Sequence, residues 1–291
     1  MKNNRILFLL TLLALSCTSP KTSTVGTDAG VERRVEQMLS RMTLAEKIGQ
    51  MNQVSAGGQI SNYADALRNG QIGSILNEVD PAKINEFQRI AVEESRLGIP
   101  LLVGRDVIHG FHTIFPIPLG LAATFDPQLV EEGARIAAVE ATAQGIRWTF
   151  SPMLDIARDP RWGRMAEGSG EDPWLDARMG EAMVRGYQGD TPGAASMAAC
   201  VKHFAVNNQE LRRTATSSNV DDRTLYEIYL PAFEAAVKDG GAWAIMGSYN
   251  LYDGQYNCHN EKLLVDILKG EWGFDGVVIS DWGGARDDDE A

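Results

Sequence analysis

In the stretch Gly276–Trp282, GVVISDW, a short β-branched run ends directly in a serine, a carboxylate and an indole. Polar residues follow three other apolar runs in the same way: GRD follows Pro100–Val103, KH follows Ala198–Val201, and SYN follows Ala244–Gly247. Such side chains do not suit a core, but they suit the carboxyl ends of parallel strands, where barrel proteins carry their functional residues. We therefore expect one site that is built from the ends of several strands.

Short β-type runs alternate with amphipathic stretches along the chain. The predicted strands are Ile72–Leu76, Pro100–Val103, Trp148–Phe150, Ala198–Val201, Ala244–Gly247 and Gly276–Ile279, with the segment Gly49–Val54 as a weaker first strand. The predicted helices are Pro127–Gln144, Asp176–Gln188, Asp222–Asp239 and Asn260–Trp272, and a capping box at Thr43–Glu46 starts another near Leu44. This alternation implies a parallel sheet with right-handed crossovers.

Two α/β architectures have this alternation. A doubly wound sheet that binds a nucleotide needs a glycine-rich turn after an early strand, and neither G-x-G-x-x-G nor G-x-x-x-x-G-K-[ST] occurs at such a place. We therefore predict a TIM-type (β/α)8 barrel. Counting the weak first strand gives only seven strands, so we expect the barrel to be incomplete. We expect the sequence to stop before the last βα unit of the barrel, with Asp288–Ala291 as the first turn of another helix.

The composition is that of an acidic soluble protein. The 291 residues include 27 basic and 39 acidic side chains, which give a net charge of −12, and 44% of the residues are hydrophobic. An acidic surface repels phosphate backbones, so nucleic acid is not an expected partner.

The amino terminus has the composition of an export signal. Residues 1–17 contain a basic start and an apolar run from Ile6 to Leu15, which is too short for a transmembrane segment. Cys17 stands where a bacterial lipoprotein carries its lipid, and residues 18–30 are predicted to form a flexible tether. We expect an exported protein, either a periplasmic or outer-membrane lipoprotein attached through Cys17, or a secreted protein.

The strand ends and their loops gather the groups that a neutral sugar needs. A pyranose is held by charged side chains that hydrogen-bond its hydroxyls and by an aromatic platform under its ring. Cleavage of a glycosidic bond also needs two carboxyl groups. The candidates are Asp106, Arg164, Lys202, His203 and Asp281, with the indoles of Trp148, Trp162 and Trp282. Composition and spacing allow a sugar-cleaving site but do not establish it.

Five longer stretches resemble the family 3 glycoside hydrolases, in that family's order and spacing. They are Met42–Met51 (MTLAEKIGQM), Gly104–Pro118 (GRDVIHGFHTIFPIP), Trp148–Pro173 (WTFSPMLDIARDPRWGRMAEGSGEDP), Lys202–Glu210 (KHFAVNNQE) and Gly270–Gly283 (GEWGFDGVVISDWG). The resemblance implies that residues 31–291 are the family's N-terminal catalytic barrel, cut before its last unit. It also implies a small carbohydrate substrate and no metal or cofactor.

The resemblance assigns roles residue by residue. The aspartate of the S-D-W motif, Asp281, is implied to be the nucleophile that forms a covalent glycosyl-enzyme. The residues implied to contact the sugar are Asp106, Arg164, Lys202, His203, Tyr249 and Trp282. Asp159, Arg161, Glu171 and Asp172 are expected to hold the surrounding loops instead.

The family branch is implied by a departure from one pattern. The branch that acts on N-acetylated sugars has a K-H-F-P-G-H-G-type sequence, whereas this chain has Ala205, Val206 and Asn207 after Lys-His-Phe. The chain therefore resembles the β-glucosidase type, whose acid/base glutamate lies in a second, downstream α/β domain. We expect that glutamate to be absent from this chain, and the chain alone to be nearly inactive.

Some alternatives stay open. A β-xylosidase or another exo-β-glycosidase of the same family differs little in sequence, and a non-catalytic sugar-binding barrel needs fewer of these residues.

His109 and His112 are three residues apart, but we expect them to pack beneath Asp106 rather than to bind a metal. Cys200 and Cys258 are expected to be buried free thiols.

Overall fold

The computed structural model describes residues 29–56 and 60–286. Short strands are spread along this part of the chain. They are β1 (Gln53–Ser55), β2 (Ser74–Leu76), β3 (Leu102–Arg105), β4 (Trp148–Thr149), β5 (Ala198–Phe204), β6 (Ser217–Ser218), β7 (Ala244–Gly247), β8 (Leu251–Tyr252), β9 (Gln255–Tyr256) and β10 (Val277–Ser280).

The main sheet has seven strands in the order β1-β2-β3-β4-β5-β7-β10, and every neighbouring pair is parallel. Parallel strands added in chain order give the curled sheet of an incomplete (β/α)8 barrel, which confirms the predicted fold class. The strands β1 and β10 stand at the two ends of this order. The strands β6, β8 and β9 form a second, smaller sheet.

Helices connect the strands. The α-helices are α1 (Ala29–Arg41), α2 (Leu44–Met51), α3 (Ala64–Arg68), α4 (Pro81–Arg89), α5 (Pro118–Ala122), α6 (Pro127–Ala143), α7 (Pro173–Gln188), α8 (Asp222–Thr224) and α9 (Pro231–Lys238). Ile90–Glu94, Leu225–Tyr229 and Lys262–Glu271 are π-helical, and Ile60–Asn62, Met165–Glu167 and Asn257–His259 are 3-10 turns.

The main core lies between the outer face of the sheet and the helices α6, α7 and α9. Val201 and Ile245 of the sheet and Ala138 of α6 are all fully buried in it. Gly186 allows α6 and α7 to approach closely, because a Cβ at this position would lie 2.3 Å from the carbonyl oxygen of Glu131. This packing fixes the strands whose carboxyl ends carry the candidate site.

The predicted first strand is wrong in its position. Residues 49–51 belong to α2, and β1 begins only at Gln53. The capping box is confirmed, since the Thr43 side chain accepts a hydrogen bond from the Glu46 amide and the Glu46 side chain accepts one from the Thr43 amide. Gly49 lets α2 continue past the loop before β2, because a Cβ there would lie 2.0 Å from the carbonyl oxygen of Gly70.

Other predicted boundaries are also corrected. The helix predicted over Asp222–Asp239 is divided at Leu230, because Pro231 has no amide hydrogen to continue the ladder. The sequence did not predict α1, whose first residue, Ala29, lies within the predicted tether. The predicted signal peptide with Cys17, and residues 18–28 of the predicted tether, lie outside the described residues, as does the helix predicted at Asp288–Ala291.

Inside the curled sheet lies a cavity of about 1110 Å³, whose wall includes Ser74 of β2, Trp148 of β4 and Val277 of β10.

Cys200 and Cys258 are both free thiols, and Cys258 is only half-buried. In the described part of the chain, no helix combines the length and the apolar character that a membrane span requires.

Candidate active site

The ends of five neighbouring strands bring the polar residues together. The predicted site residues Asp106, Lys202, His203, Tyr249 and Asp281 come at or directly after the ends of β3, β5, β7 and β10. The segment that follows β4 contributes Asp155 and, farther along, Arg164. Because these strands are neighbours in a parallel sheet, their carboxyl ends meet at one rim.

The outer pair of the site joins Lys202 to Asp106. Lys202 Nζ lies 2.7 Å from Asp106 Oδ1. The Lys202 side chain is only 6% exposed, whereas that of Asp106 is 45% exposed. The pair therefore holds a buried ammonium in place and presents a carboxylate to solvent.

The inner pair of the site joins His203 to Asp155. Asp155 Oδ2 accepts hydrogen bonds from the His203 backbone N–H at 3.0 Å and from His203 Nδ1 at 2.7 Å. Both side chains are almost fully buried. Burial raises the pKa of Asp155 well above its usual range. Burial, together with the charges of Lys202 and Arg164, lowers the pKa of His203 to about 3. His203 is therefore neutral near pH 7, with a proton on one of its two ring nitrogens.

The remaining ring nitrogen of His203 faces the centre of the site. Arg164 Nη1 lies 3.2 Å from Nε2, and because a guanidinium can only donate, Nε2 is the acceptor and Nδ1 carries the proton of the neutral ring. Two hydrogen bonds of 2.7 Å hold the Arg164 guanidinium to Glu167. Asp281 Oδ2 lies 3.8 Å from the same His203 nitrogen. Arg164, His203 and Asp281 thus surround one point at the rim.

Asp281 is held by the turn that ends β10. Its amide donates to the Gly247 carbonyl oxygen at 2.9 Å, and its Oδ1 accepts a hydrogen bond from the Trp282 amide at 2.8 Å. Gly283 has a φ of 72°, which a glycine adopts without strain, and this allows the tight turn. The Asp281 side chain is 12% exposed, so a fixed carboxylate reaches the surface of the site.

Aromatic side chains form one wall beside Asp281. The Tyr249 hydroxyl donates to the Trp282 carbonyl oxygen at 2.8 Å. Burial and the nearby negative charge of Asp281 raise the pKa of Tyr249 to about 12, so its hydroxyl stays protonated. The Trp282 ring packs edge-on against Phe150 at 4.8 Å between centroids, yet Trp282 remains 41% exposed. An exposed, oriented indole is the kind of surface on which a sugar ring stacks.

Sequence reasoning missed several residues that orient the site. Asp155 and Glu167 both lie within Trp148–Pro173, which resembles the family, yet neither was predicted as a site residue, although Glu167 stands three residues after Arg164. Arg213 lies over the Tyr249 ring at 4.6 Å and pairs with Glu210 at 2.7 Å. The i,i+3 spacing of these two acid–base pairs is the only sequence signal that could have found them.

Asp159, Arg161 and Asp172, three of the four residues predicted to hold loops, make hydrogen bonds or ion pairs of this kind. Asp159 and Arg161 form an ion pair of 2.6 Å in the loop after β4. The Asp172 side chain caps α7 by accepting a hydrogen bond from the Leu175 amide.

His112 Nε2 contacts the side-chain nitrogen of Gln144 at 2.6 Å. Within residues 29–56 and 60–286, no three histidine, cysteine or carboxylate side chains are grouped so that they could hold a metal ion.

Comparison with known proteins identifies the chain's family. Residues 43–288 match the model of the glycosyl hydrolase family 3 N-terminal domain. The periplasmic beta-glucosidase of Salmonella typhimurium is 38% identical over 257 residues, which are 87% of this chain and 34% of that protein. A beta-glucosidase of Bacteroides ovatus is 42% identical over 214 residues, which are 67% of this chain and 28% of that protein. The chain thus spans about a third of the length of these relatives.

Solved structures agree with this comparison. The beta-glucosidase of Listeria innocua in complex with isofagomine superposes with a TM-score of 0.78 and 43% identity, over 87% of this chain and 37% of that one. The same enzyme in complex with glucose gives a TM-score of 0.79 and 41% identity. The family model, the identities and the shared fold show that this chain belongs to glycosyl hydrolase family 3.

Proposed function

We propose that this chain supplies the sugar-binding and nucleophilic part of a retaining β-glucosidase, with Asp281 as the nucleophile. One observation carries the proposal: the Asp281 carboxylate is fixed at the rim, with one oxygen held by the Trp282 amide at 2.8 Å and the other 3.8 Å from His203 Nε2, and its side chain is 12% exposed. A nucleophilic carboxylate must be held in one orientation at the place where the anomeric carbon arrives. The names of the Salmonella and Listeria relatives favour glucose as the sugar.

The proposed reaction has two steps. In the first, a carboxylate oxygen of Asp281 attacks the anomeric carbon, and an ester bond forms as the bond to the leaving oxygen breaks. The leaving oxygen takes a proton from a general acid and departs as an alcohol. In the second step, the conjugate base of that acid removes a proton from water, and the water oxygen displaces Asp281 from the anomeric carbon. Two inversions at that carbon give net retention.

The polar residues around Asp281 would hold the sugar. Asp106 presents an exposed carboxylate, and Lys202 keeps it oriented at 2.7 Å. Charged acceptors of this kind bind pairs of adjacent hydroxyls strongly. The exposed face of Trp282 offers a platform for the apolar face of the ring.

We further propose that the general acid is a glutamate in the part of the longer relatives that this chain does not span. The chain matches only 34% of the Salmonella relative, which leaves ample sequence for a second domain. In retaining enzymes the two carboxyl groups lie about 5 Å apart, so that domain would cover the rim beside Asp281. General acid catalysis typically contributes on the order of 10²–10⁴ in rate, so this chain alone should turn over natural β-glucosides very poorly.

Mechanism-based labelling tests the nucleophile without the acid. A 2-deoxy-2-fluoro-β-D-glucoside with a dinitrophenolate leaving group needs little protonation, so attack by Asp281 should still form a stable ester. We expect the intact mass to rise by one fluoroglucosyl unit, located on the peptide that contains Asp281. Asp281→Asn should not be labelled. Asp275→Asn, which changes an exposed carboxylate in the same motif, is the matched control and should be labelled like the wild type.

The outcomes separate the candidate functions. A folded chain that binds D-glucose but forms no ester would be a sugar-binding barrel, and labelling of Asp281→Asn would also overturn the proposal. Faster labelling by the corresponding xyloside would make the protein a β-xylosidase of the same family.

We also propose that the protein is exported. The composition of residues 1–17 and the periplasmic location in the Salmonella relative's name support this proposal. Fractionation of cells that express the chain, with a Cys17→Ala control for lipid attachment, tests it. Recovery of the chain in the cytoplasm with residues 1–17 intact would contradict it.

A further inference from the structure

A groove on the outside of the barrel, between α7 and α9, lies apart from the candidate active site. It has a volume of about 560 Å³, and its walls include Trp174 and Arg178 of α7, Glu227, and Glu234 and Lys238 of α9. It shares no residue with the rim around Asp281. Its volume falls within the range of small-molecule sites, roughly 300–1,000 Å³.

The groove has a large exposed aromatic side chain at its edge. Trp174 is 71% exposed, although an indole is among the side chains that gain most from burial. The guanidinium of Arg178 lies over its ring, 4.9 Å from the centroid. Arg178 is itself held by Glu181 at 2.6 Å and by Asp239 at 3.3 Å. The indole is therefore supported on one face, which leaves a fixed aromatic surface for a ligand.

Apart from Asp172, which caps α7, the charged side chains on the walls of the groove are already paired. Lys238 Nζ lies 2.6 Å from Glu234, and Glu227 lies 3.1 Å from Arg223. An anionic ligand would have to break one of these pairs, whereas an uncharged ligand can use the same side chains as hydrogen-bond donors and acceptors. A flat aromatic surface beside such groups suits a ring with an apolar face and a hydroxylated edge, which is a pyranose.

We propose that this groove is a second carbohydrate-binding site, which holds a pyranose unit of a neutral oligosaccharide on Trp174 without cleaving it. The choice of a β-glucoside as its ligand rests on the function proposed above. The site would keep an oligosaccharide on the outer face of the barrel while Asp281 acts on a chain end.

The experiment is a calorimetric titration of cellobiose into the chain after Asp281 has been esterified by the fluoroglucoside. The ester fills the rim, so the remaining binding reports the groove. We expect saturable binding that Trp174→Ala weakens at least about tenfold and that Trp174→Phe largely restores. The matched control is Phe125→Ala, which removes another aromatic side chain that is 74% exposed, and it should bind cellobiose like the wild type. Circular dichroism would establish that each variant is folded.

Two results would overturn the proposal: no saturable binding to the esterified chain, or binding that Trp174→Ala leaves unchanged. The outcome is separable from that of the catalytic proposal. Ester formation without binding in the groove removes only the second site. If no ester forms, cellobiose can be titrated into Asp281→Asn with and without Trp174→Ala, and the difference between the two still measures binding in the groove. The missing ester then contradicts only the proposal that Asp281 is the nucleophile.

Discussion

The outer pair and the inner pair of the site begin from adjacent residues of β5, yet they differ in what they can do. Lys202 pairs with an Asp106 carboxylate that is 45% exposed, while His203 pairs with an Asp155 side chain that has no exposed surface. Asp106 can therefore exchange water for sugar hydroxyls, whereas Asp155 can only hold the histidine. The end of β5 thus carries both a residue that orients an exposed binding group, Lys202, and a residue that is itself held by a buried carboxyl, His203.

The largest effect is expected from breaking the inner pair. Asp155→Ala leaves the His203 amide and Nδ1 without an acceptor, and each buried unsatisfied group costs about 1–3 kcal/mol. We expect the free energy of unfolding at pH 7 to fall by about 3 kcal/mol, measured by urea denaturation. Asp155→Asn keeps an oxygen acceptor and should recover part of this loss. A loss below about 1 kcal/mol in Asp155→Ala would mean that the inner pair does not support the site.

A second buried carboxyl beside the inner pair should make stability depend on pH. Burial raises the pKa of Asp176 to about 7, the negative charge of Asp155 adds to this, and contacts with Ser169 only partly oppose it. Because the folded-state pKa is raised, the folded chain holds this proton more tightly than the unfolded chain. The stability is therefore complete below the unfolded pKa of about 4 and is lost as the pH rises towards about 7.

Replacing Asp176 by an uncharged isostere should remove that loss. We expect Asp176→Asn to be more stable than the wild type at pH 8. The difference in free energy of unfolding between variant and wild type should move in favour of the variant by on the order of 2 kcal/mol from pH 5 to pH 8. Urea denaturation at the two pH values measures the difference. An equal difference between the two proteins at both pH values would show that Asp176 does not titrate between them.

The outer pair was easier to predict from the sequence than the inner pair. Asp106 and Lys202 of the outer pair, like His203 of the inner pair, stand at strand ends within stretches that match the family. Their positions therefore follow from the motif and the parallel sheet together. Nothing in the sequence indicates that Asp155 would accept hydrogen bonds from both the backbone N–H and the ring N–H of His203. This contact joins residues 48 positions apart and depends on the packing of β4 against β5.

The same limit, that contacts between distant residues cannot be predicted from the sequence, applies to the boundaries of the strands. The strand order could be predicted, since in a parallel barrel each strand follows its neighbour in the chain. The start of β1 could not, because residues 49–51 fit either a strand or a helix, and close packing of Gly49 on Gly70 decides for the helix. Short apolar runs are ambiguous until tertiary contacts choose between the two.

Changing the outer pair should affect binding more than folding. Asp106→Asn keeps an oxygen near Lys202 but removes the charge that strengthens hydrogen bonds to sugar hydroxyls. We expect D-glucose to bind roughly tenfold more weakly, with a smaller loss of stability than in Asp155→Ala. Calorimetric titration and urea denaturation of the same variant give the two values. Equal glucose affinity in Asp106→Asn and the wild type would remove Asp106 from the binding site.

The smallest effect is expected at Asp159, which pairs with Arg161 at 2.6 Å in the loop after β4, where the two side chains are 46% and 89% exposed. Arg161 lowers the pKa of Asp159 to about 2, so any stability from this carboxylate is lost only as the pH falls through that value. At pH 7 water and salt screen the pair, and holding two side chains in one geometry offsets most of its attraction. Urea denaturation of Asp159→Asn at low and high salt should therefore match the wild type. A clear loss at low salt would mean that this exposed pair anchors the loop that carries Arg164, and that burial alone does not divide supporting residues from dispensable ones.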